Sequence, residues 1–355
     1  MFNIPKIEKE SFYIDQAIEA MQEYAKKERE NIDNRFTRSK NPRLKEKAGQ
    51  DLRLDKRKDL ELQKIRFLND RLNQSLKKLI SRFPKFDKMD DIYKKLINTT
   101  DTPVSKMTDA LQRLLWIANT IDEFTQNTET KLKKTKSQET SGFLMKKYLG
   151  RVNSLFKKNK EYFQILEDGR RFMNKMPTFL NIYTVVIAGF PNVGKSTLMN
   201  KITGCNVEIQ NYPFTTKGLM FGYIKLENNK IAQLIDTPGL LGRDKNNNIE
   251  ERAKLIISEH SDFIIYVIDF TETCGYTIEN QLKLLKKTKG YEKPIVLYFS
   301  KSDIFDEESK EKYEENKNTI KKYKTFDNDQ ELKTYILDSQ SKNTKFDINK
   351  IKLIK

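Results

Sequence analysis

A chain of 355 residues, 37% hydrophobic and 33% charged, is long enough for two domains that each bury a core. It has no apolar run long enough to span a membrane, no apolar leader after Met1, one histidine and only two cysteines. These features exclude a membrane-spanning segment, a secretory signal, a disulfide framework and a histidine-rich metal site. We therefore expect a cytoplasmic protein without membrane attachment.

The net charge of +17 is concentrated in the first half of the chain. Residues 1–180 carry 40 Lys and Arg against 26 Asp and Glu, whereas residues 181–355 carry 27 against 24. An excess of this size favours a polyanionic partner, nucleic acid, for the first half. The alternative, a charged and solvated helical face that needs no partner, stays open.

The first half has the spacing of amphipathic helices, with apolar residues three and four positions apart. The four predicted helices span residues 10–30, 62–83, 105–124 and 141–173. Ser105 follows the break at Thr102-Pro103 and can cap the third of them. Several long amphipathic helices without strand signals predict an antiparallel bundle over residues 1–176.

A different pattern begins after Pro177 and predicts a second domain over residues 177–355. The six predicted strands are Tyr183–Ala188, Phe221–Leu226, Ile231–Ile235, Phe263–Phe270, Pro294–Phe299 and Tyr335–Leu337. Asn228-Asn229 predicts a hairpin between the second and third strands, and the polar segment Lys321–Gln330 predicts a surface connection. Strands that alternate with helices predict a mostly parallel sheet flanked by helices, with ligands at the carboxyl ends of its strands.

A phosphate loop is predicted directly after the first of these strands. Glycines let backbone N–H groups curl around phosphates at a helix N-terminus. Lys195 is placed for the β- and γ-phosphates, and Ser196 for Mg²⁺. The predicted phosphate-binding residues are Gly189, Pro191, Asn192, Val193, Gly194, Lys195, Ser196 and Thr197.

Two further segments have the spacing of nucleotide-sensing switches, over residues 206–217 and 236–244. Asp236 ends a strand and can hold Mg²⁺ through water, and the Gly239 N–H can sense the γ-phosphate. Thr216, with Thr215 as second choice, lies where a switch threonine is expected. The predicted metal ligands are Ser196, Thr216 and Asp236, and the predicted catalytic residues are Lys195, Thr216 and Gly239.

The base-binding element favours GTP over ATP. Ser300-Lys301-Ser302-Asp303 is similar to the Asn/Thr-Lys-x-Asp guanine motif, and Asp303 offers two acceptors for the guanine N–H donors that adenine lacks. Ser300 in place of asparagine is a departure that lowers the expected base affinity. Ser339-Gln340-Ser341 is aligned with a Ser-Ala-Lys element, so Ser339 and Gln340 are predicted to complete the base site.

Together these motifs resemble those of the Nog branch of the Obg-like, translation-factor-class GTPases. The resemblance extends to the branch-specific segment Cys274–Gln281 and to Phe83–Asp87 in the helical half. It implies a helical domain followed by a Ras-like, Mg²⁺-dependent G domain that hydrolyses GTP to GDP and phosphate. It also implies a factor that binds immature large ribosomal subunits through rRNA, beside other assembly factors, and uses GTP to time a maturation step. A chain ending soon after the G domain resembles short, archaeal-type cytoplasmic members rather than the nucleolar proteins of eukaryotes.

The resemblance also bears on the hydrolysis rate. Leu240 stands where Ras-like enzymes have a glutamine that orients the attacking water, which implies slow hydrolysis until a partner or a cation helps. Asn192 matches a residue that ligates K⁺ in related GTPases, and the alternative is that it only shapes the loop. We expect a monomer. Two other functions stay open: an RNA-binding scaffold with a structural nucleotide, and a GTPase of membrane or stress signalling.

Overall fold

The computed structural model describes residues 2–38, 49–204, 207–210, 219–226, 229–236, 252 and 254–341. The chain divides into two compact units. A helical unit comprises Asn3–Met89 and Thr100–Asn174, and an α/β unit comprises the first two residues, Asp90–Thr99 and the chain from Lys175 onward. The segment Asp90–Thr99 thus groups with the α/β unit although it lies within the basic first half of the sequence. Along the described ranges, no helix has the length and apolar character needed to cross a membrane.

The first half folds into helices, as predicted. They are α1 (Glu10–Arg38), α2 (Gly49–Ser81), α3 (Asp91–Asn98), α4 (Val104–Lys134), α5 (Gln138–Lys158) and α6 (Lys160–Asn174). Helices α1 and α2 run antiparallel, because Tyr24 stacks on Phe67 whereas the later Asp33 pairs with the earlier Lys56. The apolar stripe of α2 is buried, which confirms the bundle.

The pattern predicted as one helix over residues 141–173 is two helices separated at Asn159. The Asn159 side chain is buried; its Nδ2 donates to the Leu155 carbonyl at 2.6 Å and its Oδ1 accepts from Arg113 Nε at 2.6 Å. Asparagine competes in this way with the backbone hydrogen bonds of a helix. The apolar spacing continues across the break, so periodicity alone does not reveal it.

The N-terminal segment of the helical unit is held against α6 by one carboxylate. Glu167 accepts hydrogen bonds from the Ile7 N–H at 3.0 Å and from the guanidinium groups of Arg170 and Arg171. Burial opposes ionisation, but these three donors outweigh it and lower the pKa of Glu167 to about 2. Asn174 adds a pair of hydrogen bonds to the backbone of Ile4. The segment therefore has a fixed course beside the bundle.

The α/β unit is built on a seven-stranded sheet in the order β2-β3-β4-β1-β5-β6-β7. Its strands are β1 (Tyr183–Ala188), β2 (Val207–Gln210), β3 (Leu219–Leu226), β4 (Asn229–Asp236), β5 (Phe263–Ile268), β6 (Ile295–Phe299) and β7 (Lys324–Phe326). Its further helices are α7 (Lys195–Thr203), α8 (Ile278–Lys289), α9 (Glu307–Ile320) and α10 (Asp329–Ser341). Strand β3 is antiparallel to β2 and to β4, which confirms the predicted hairpin, and the other pairs are parallel. Strand β1 lies at the centre, with both faces buried.

The sheet has seven strands where six were predicted, and one predicted strand is wrong. Residues 335–337 belong to α10, where Leu332 and Ile336 lie four positions apart and are fully buried. A short apolar run cannot distinguish a strand from one turn of a buried helix. The last strand is instead β7, inside the predicted polar connection, where only Phe326 is buried. Strand β2 is also absent from the prediction.

Helix α3 is anchored within the α/β unit by three sets of contacts. The buried Arg252 donates from Nε to the Thr99 hydroxyl and from Nη2 to the Thr99 carbonyl, both at 2.7 Å. Lys95 pairs with Glu259 at 2.8 Å. The Tyr93 hydroxyl accepts from the Phe179 N–H at 2.9 Å. Arg252 lies eight residues after the end of the second predicted switch in sequence, so α3 is tied to the chain that follows that switch.

His260 ends a π-helical turn, Ile256–His260, and its ring lies edge-to-face against Phe179 at 4.8 Å. Burial lowers the pKa of His260 to about 4, and the nearby Lys293 adds to the effect, while Asp90 and the backbone of Leu180 oppose it. The native state therefore favours the neutral ring, and the unfolded chain takes up the proton first as the pH falls.

We expect the free energy of unfolding to fall as the pH drops from 6.5 to 4 because of His260. The contribution of the neutral ring is complete above the unfolded pKa of 6.5 and is lost by pH 4, a difference of at most about 3 kcal/mol. Urea unfolding at pH 7, 5.5 and 4.5 tests this against His260→Phe, which keeps the ring contact without the titration. A gap between the two proteins that stays constant across this range would contradict the assignment.

Candidate nucleotide-binding site

The predicted phosphate loop connects the end of β1 to the start of α7. Gly189 has φ +142°, and a Cβ there would lie 2.7 Å from the Val267 carbonyl oxygen, so no other residue fits without backbone movement. Gly194 has φ +97° and precedes the first residue of α7. Asn192, with φ +62°, turns the loop between them. The loop therefore has the left-handed turns that wrap backbone N–H groups around an anion.

The first two side chains of α7, Lys195 and Ser196, hydrogen-bond to the phosphate loop and to the end of β4. Lys195 is buried, and its Nζ donates to the Phe190 carbonyl at 2.7 Å. Burial lowers the pKa of Lys195, and the Asp236 carboxylate opposes this. Ser196 Oγ donates to Asp236 Oδ2 at 2.9 Å, which joins the start of α7 to the end of β4. A hydroxyl and a carboxylate are hard oxygen donors that suit Mg²⁺, so these two residues fit the expected ion.

The guanine-type motif lies at the carboxyl end of β6. Ser300 is buried, and its N–H donates to the Ile268 carbonyl at 2.9 Å. A Cβ added at Gly194 would lie 3.5 Å from the Ser300 Cβ, so the two residues are close neighbours. Lys301 has φ +58°, and its Nζ donates to Asp269 Oδ2 at 2.7 Å. Asp303 is exposed in a turn of 3-10 helix, Ser302–Ile304. The motif is thus packed against the phosphate loop while Asp303 stays accessible.

Asp269 organises this side of the site, and the sequence reasoning missed it. It is fully buried at the end of β5 and accepts hydrogen bonds from Thr271, Thr273 and the Cys274 N–H as well as from Lys301. Burial opposes its ionisation, but Lys301 and Thr271 outweigh it and lower the pKa of Asp269. A carboxylate directly after a buried parallel strand was the signal that could have identified it.

The segment Cys274–Gln281 supports the same region. Gln281 is fully buried; its Oε1 accepts from the Asp269 N–H, and its Nε2 donates to the carbonyls of Asp269 and Tyr276. The Tyr276 ring stacks on Phe190 of the phosphate loop, with ring centroids 4.1 Å apart. This segment therefore connects the base side of the site to the phosphate side.

The structure does not bring Ser339 and Gln340 to the site. They lie in the last turns of α10, and the Ser339 side chain hydrogen-bonds to Tyr183, the first residue of β1. The phosphate loop follows the other end of β1, roughly 16 Å away at the rise of a strand. Assigning Ser339 and Gln340 to the base loop is therefore a mistake of register, because a helix lies where a strand was predicted.

The loop after β7 occupies the expected position instead. Burial, followed by the carboxylates of Asp329, Asp327 and Asp303, raises the pKa of Tyr298 on β6. Strands β6 and β7 pair in parallel with Tyr298 opposite Phe326, so their carboxyl ends lie side by side. Asn328 in this loop caps α10, accepting from the Gln330 N–H at 2.8 Å.

The remaining predicted residues either lie in the phosphate loop and the start of α7 or fall outside the described residues. Thr197 is exposed in the first turn of α7, Pro191 is exposed in the loop, and Val193 is buried beneath it. Thr215, Thr216, Gly239 and Leu240 lie outside the described residues, as do most of both predicted switches. The binding roles of all these residues stay predictions.

The comparisons with known proteins agree with this geometry. A family model described as the NOG1 N-terminal helical domain matches residues 21–179, and one described as a 50S ribosome-binding GTPase matches residues 184–301. Both halves of the chain are therefore matched, in the predicted order.

Individual relatives match across both halves. An uncharacterized protein of Methanocaldococcus jannaschii is 35% identical over 70% of this chain and 70% of its own length. Nucleolar GTP-binding protein 1 of Drosophila melanogaster is 33% identical over 69% of this chain, and that of Encephalitozoon cuniculi is 32% identical over 68%. The chain spans only 38% and 46% of those two proteins. Among solved structures, the G domain of the T. maritima FeoB iron transporter is 26% identical over 44% of this chain and 98% of its own, at a TM-score of 0.34.

With the phosphate loop, the anchored guanine-type motif and the helical half all present, the chain belongs to the Nog family of GTP-binding proteins, and its α/β unit is a GTPase domain.

Proposed function

We propose that this protein is a GTPase switch in the assembly of the large ribosomal subunit. Its basic helical domain, residues 1–176, binds rRNA of the immature subunit, and its G domain, residues 177–355, hydrolyses GTP. The switch segments order with GTP and loosen after hydrolysis, which changes the affinity for the subunit. The protein acts as a cytoplasmic monomer beside other assembly factors.

One observation carries this proposal: a strongly basic helical half is joined to a GTPase domain of the type described as 50S ribosome-binding. Phosphate contacts supply most of the affinity of proteins for nucleic acid, and a basic excess provides them. The names of the nucleolar relatives support the family assignment, but they say nothing of what this chain binds.

Different residues of the proposed site bind the phosphates, the metal ion and the γ-phosphate. Lys195 and the loop amides hold the GTP phosphates, and Ser196, Asp236 and Thr216 hold Mg²⁺, which neutralises phosphate charge when bound. The Gly239 N–H senses the γ-phosphate. Asn192 faces solvent at the loop, where its carbonyl could add a K⁺ ligand, and Leu240 leaves the attacking water without a glutamine, which makes intrinsic hydrolysis slow.

Asp303→Asn tests base recognition. An amide presents an N–H donor to the guanine N–H groups, so we expect affinity for GTP to fall about 10- to 100-fold and affinity for xanthosine triphosphate to rise. Titration with fluorescent nucleotides measures both. Asp338→Asn is the matched control, because it makes the same change at an exposed aspartate of α10. Asp338 is next to Ser339, which the structure does not bring to the site. Equal losses in the two variants would refute the role of Asp303.

Co-sedimentation with purified ribosomal subunits tests the switch itself. The protein is mixed with large or small subunits in the presence of a non-hydrolysable GTP analogue, GDP or no nucleotide. We expect binding to large subunits, strengthened by the analogue and weakened steeply by salt. Binding that ignores the nucleotide would favour an RNA-binding scaffold, and absence of binding at low salt would overturn the ribosomal role.

A further inference from the structure

The helical unit contains a cleft that the GTPase function does not use. Its volume is about 430 Å³, within the range of small-molecule sites. Three stretches of the unit line it: the N-terminal segment over residues 4–8, the first turns of α1, and one face at the end of α2. The wall formed by the N-terminal segment is fixed by Glu167 and Asn174, so the cleft is preorganised.

Positive charge is concentrated in this cleft. Arg71, Lys78 and Arg82 lie on its α2 side at helical spacing, and all three are exposed. Within the described part of the chain none of the three has a carboxylate partner. The one acid in the lining, Glu8, is already paired with Lys6 at 2.9 Å.

Some cations elsewhere in the bundle are paired with carboxylates. Asp33 pairs with Lys56, Glu129 with Arg66, and Glu167 with two arginines. Elsewhere in the helical unit, therefore, carboxylates offset part of the positive charge. The uncompensated cations of the cleft favour a ligand with more than one negative charge.

An exposed aromatic ring lies at the same cleft. Phe12 is 46% exposed although it belongs to a helix of the bundle. Its ring meets Tyr13 edge-to-face, with centroids 5.8 Å apart, and Tyr13 in turn lies against Phe163 at 5.6 Å. Phe12 is thus a supported ring that presents apolar surface to the ligand. Exposed aromatic rings beside arginines and lysines are typical of sites for unpaired nucleotides, which stack one base and pair their phosphates.

We propose that this cleft binds a short stretch of single-stranded RNA, with phosphates against Arg71, Lys78 and Arg82 and a base stacked on Phe12. The inference rests on the proposed function, because it names where the helical domain holds rRNA. A cleft with an exposed aromatic ring beside its cations suits a base that has left its stack, whereas the bases of a duplex are stacked on one another and leave no face for the ring.

Fluorescence anisotropy with a labelled ten-nucleotide single-stranded RNA tests the charge requirement. The variant R71E/K78E/R82E should bind at least tenfold more weakly than the unaltered chain. Affinity falls as salt rises, and the steepness of this fall is the slope of log affinity against log salt. Loss of three phosphate contacts should reduce the magnitude of that slope by about 2. The matched control is K131E/K133E/K134E at the end of α4, which changes the net charge equally at exposed residues. R71Q/K78Q/R82Q, with a thermal melt of every variant, covers the case in which three glutamates prevent folding.

A second pair of variants tests stacking. Phe12→Ala should weaken binding of the same RNA about tenfold without changing the salt slope. Phe143→Ala, which removes a ring that is 62% exposed on α5, should have no effect. Equal losses in the cleft and control variants, or preference for duplex over single-stranded RNA, would overturn the proposal.

Co-sedimentation of the same variants separates this inference from the ribosomal role. If the cleft variant binds large subunits and RNA as well as its control does, the cleft proposal fails while the switch stands. If the unaltered chain binds neither subunits nor RNA, both fail together. Loss of binding confined to the cleft variants, with nucleotide affinity unchanged, would establish the site.

Discussion

Replacing Lys195 by methionine is expected to lower the rate of GTP hydrolysis by two to three orders of magnitude. The Lys195 ammonium is buried inside the phosphate loop, 2.7 Å from the Phe190 carbonyl, where the β- and γ-phosphates are expected. Methionine keeps much of the volume and removes the charge. Loss of one such stabilising donor in a buried site costs about 100- to 1,000-fold in rate. Phosphate release under single-turnover conditions with excess protein measures the effect on hydrolysis.

Lys201→Met is the control for this experiment. Lys201 lies in the last turn of the same helix, α7, and is exposed, so its loss should leave the rate within twofold. Affinity for a fluorescent GDP, measured in parallel, separates lost binding from lost catalysis. If Lys195→Met hydrolyses GTP within tenfold of the unaltered protein, the loop is not where GTP is hydrolysed.

Lys301→Met is expected to lower the free energy of unfolding by about 3 kcal/mol and to weaken GTP binding. The variant leaves the fully buried Asp269 carboxylate without its cation. Removing one partner of a buried ion pair costs about 3 to 5 kcal/mol, and the lower value applies here because Thr271, Thr273 and the Cys274 N–H still donate to Asp269.

The pH dependence gives this prediction a second readout. The lowered pKa of Asp269 contributes stability that is complete above its unfolded pKa of about 3.8 and is lost as the pH falls below it. Because Lys301 is one cause of that lowered pKa, the difference in free energy of unfolding between the unaltered protein and Lys301→Met should be full at pH 7 and should narrow as the pH falls through 3.8 toward 3. Urea unfolding measures the difference. Lys317→Met removes an exposed pair with Glu314 and should leave the stability close to that of the unaltered protein. The prediction would be contradicted if Lys301→Met lowered the free energy of unfolding no more than Lys317→Met does. A difference from the unaltered protein that stayed constant with pH would also contradict it.

The phosphate loop and the guanine-type motif could be predicted from sequence because each is a short segment with one function. Gly189 and Gly194 satisfy backbone requirements that local sequence expresses directly. Asp269 was missed because its role depends on Lys301, which lies 32 residues away in sequence. Only the folded sheet brings the ends of β5 and β6 together.

The errors have a related physical origin. Strand β7 carries a single buried residue, so hydrophobic pattern gave no signal for it, and the true apolar spacing of α10 was interpreted as a strand. This displaced the predicted base loop to Ser339 and Gln340, whereas the loop at the carboxyl end of the last strand follows Phe326. The break at Asn159 depends on Arg113, a partner in another helix, which no local pattern reveals.

The anchoring of α3 has a consequence for how the chain is made. Thr99 and Arg252 are 153 residues apart, and synthesis proceeds at roughly 5 to 20 residues per second, so α3 leaves the ribosome roughly 8 to 30 s before its partner. The helical unit is complete in sequence by Asn174, within that interval. During the delay Ile92, Leu96 and Ile97, which are buried in the finished protein, lack the later part of the α/β unit that contacts α3. The apolar side chains of α3 are therefore exposed until the rest of the α/β unit has been synthesised. Slowing elongation after Asn174 should prolong the time for which chaperones can bind them.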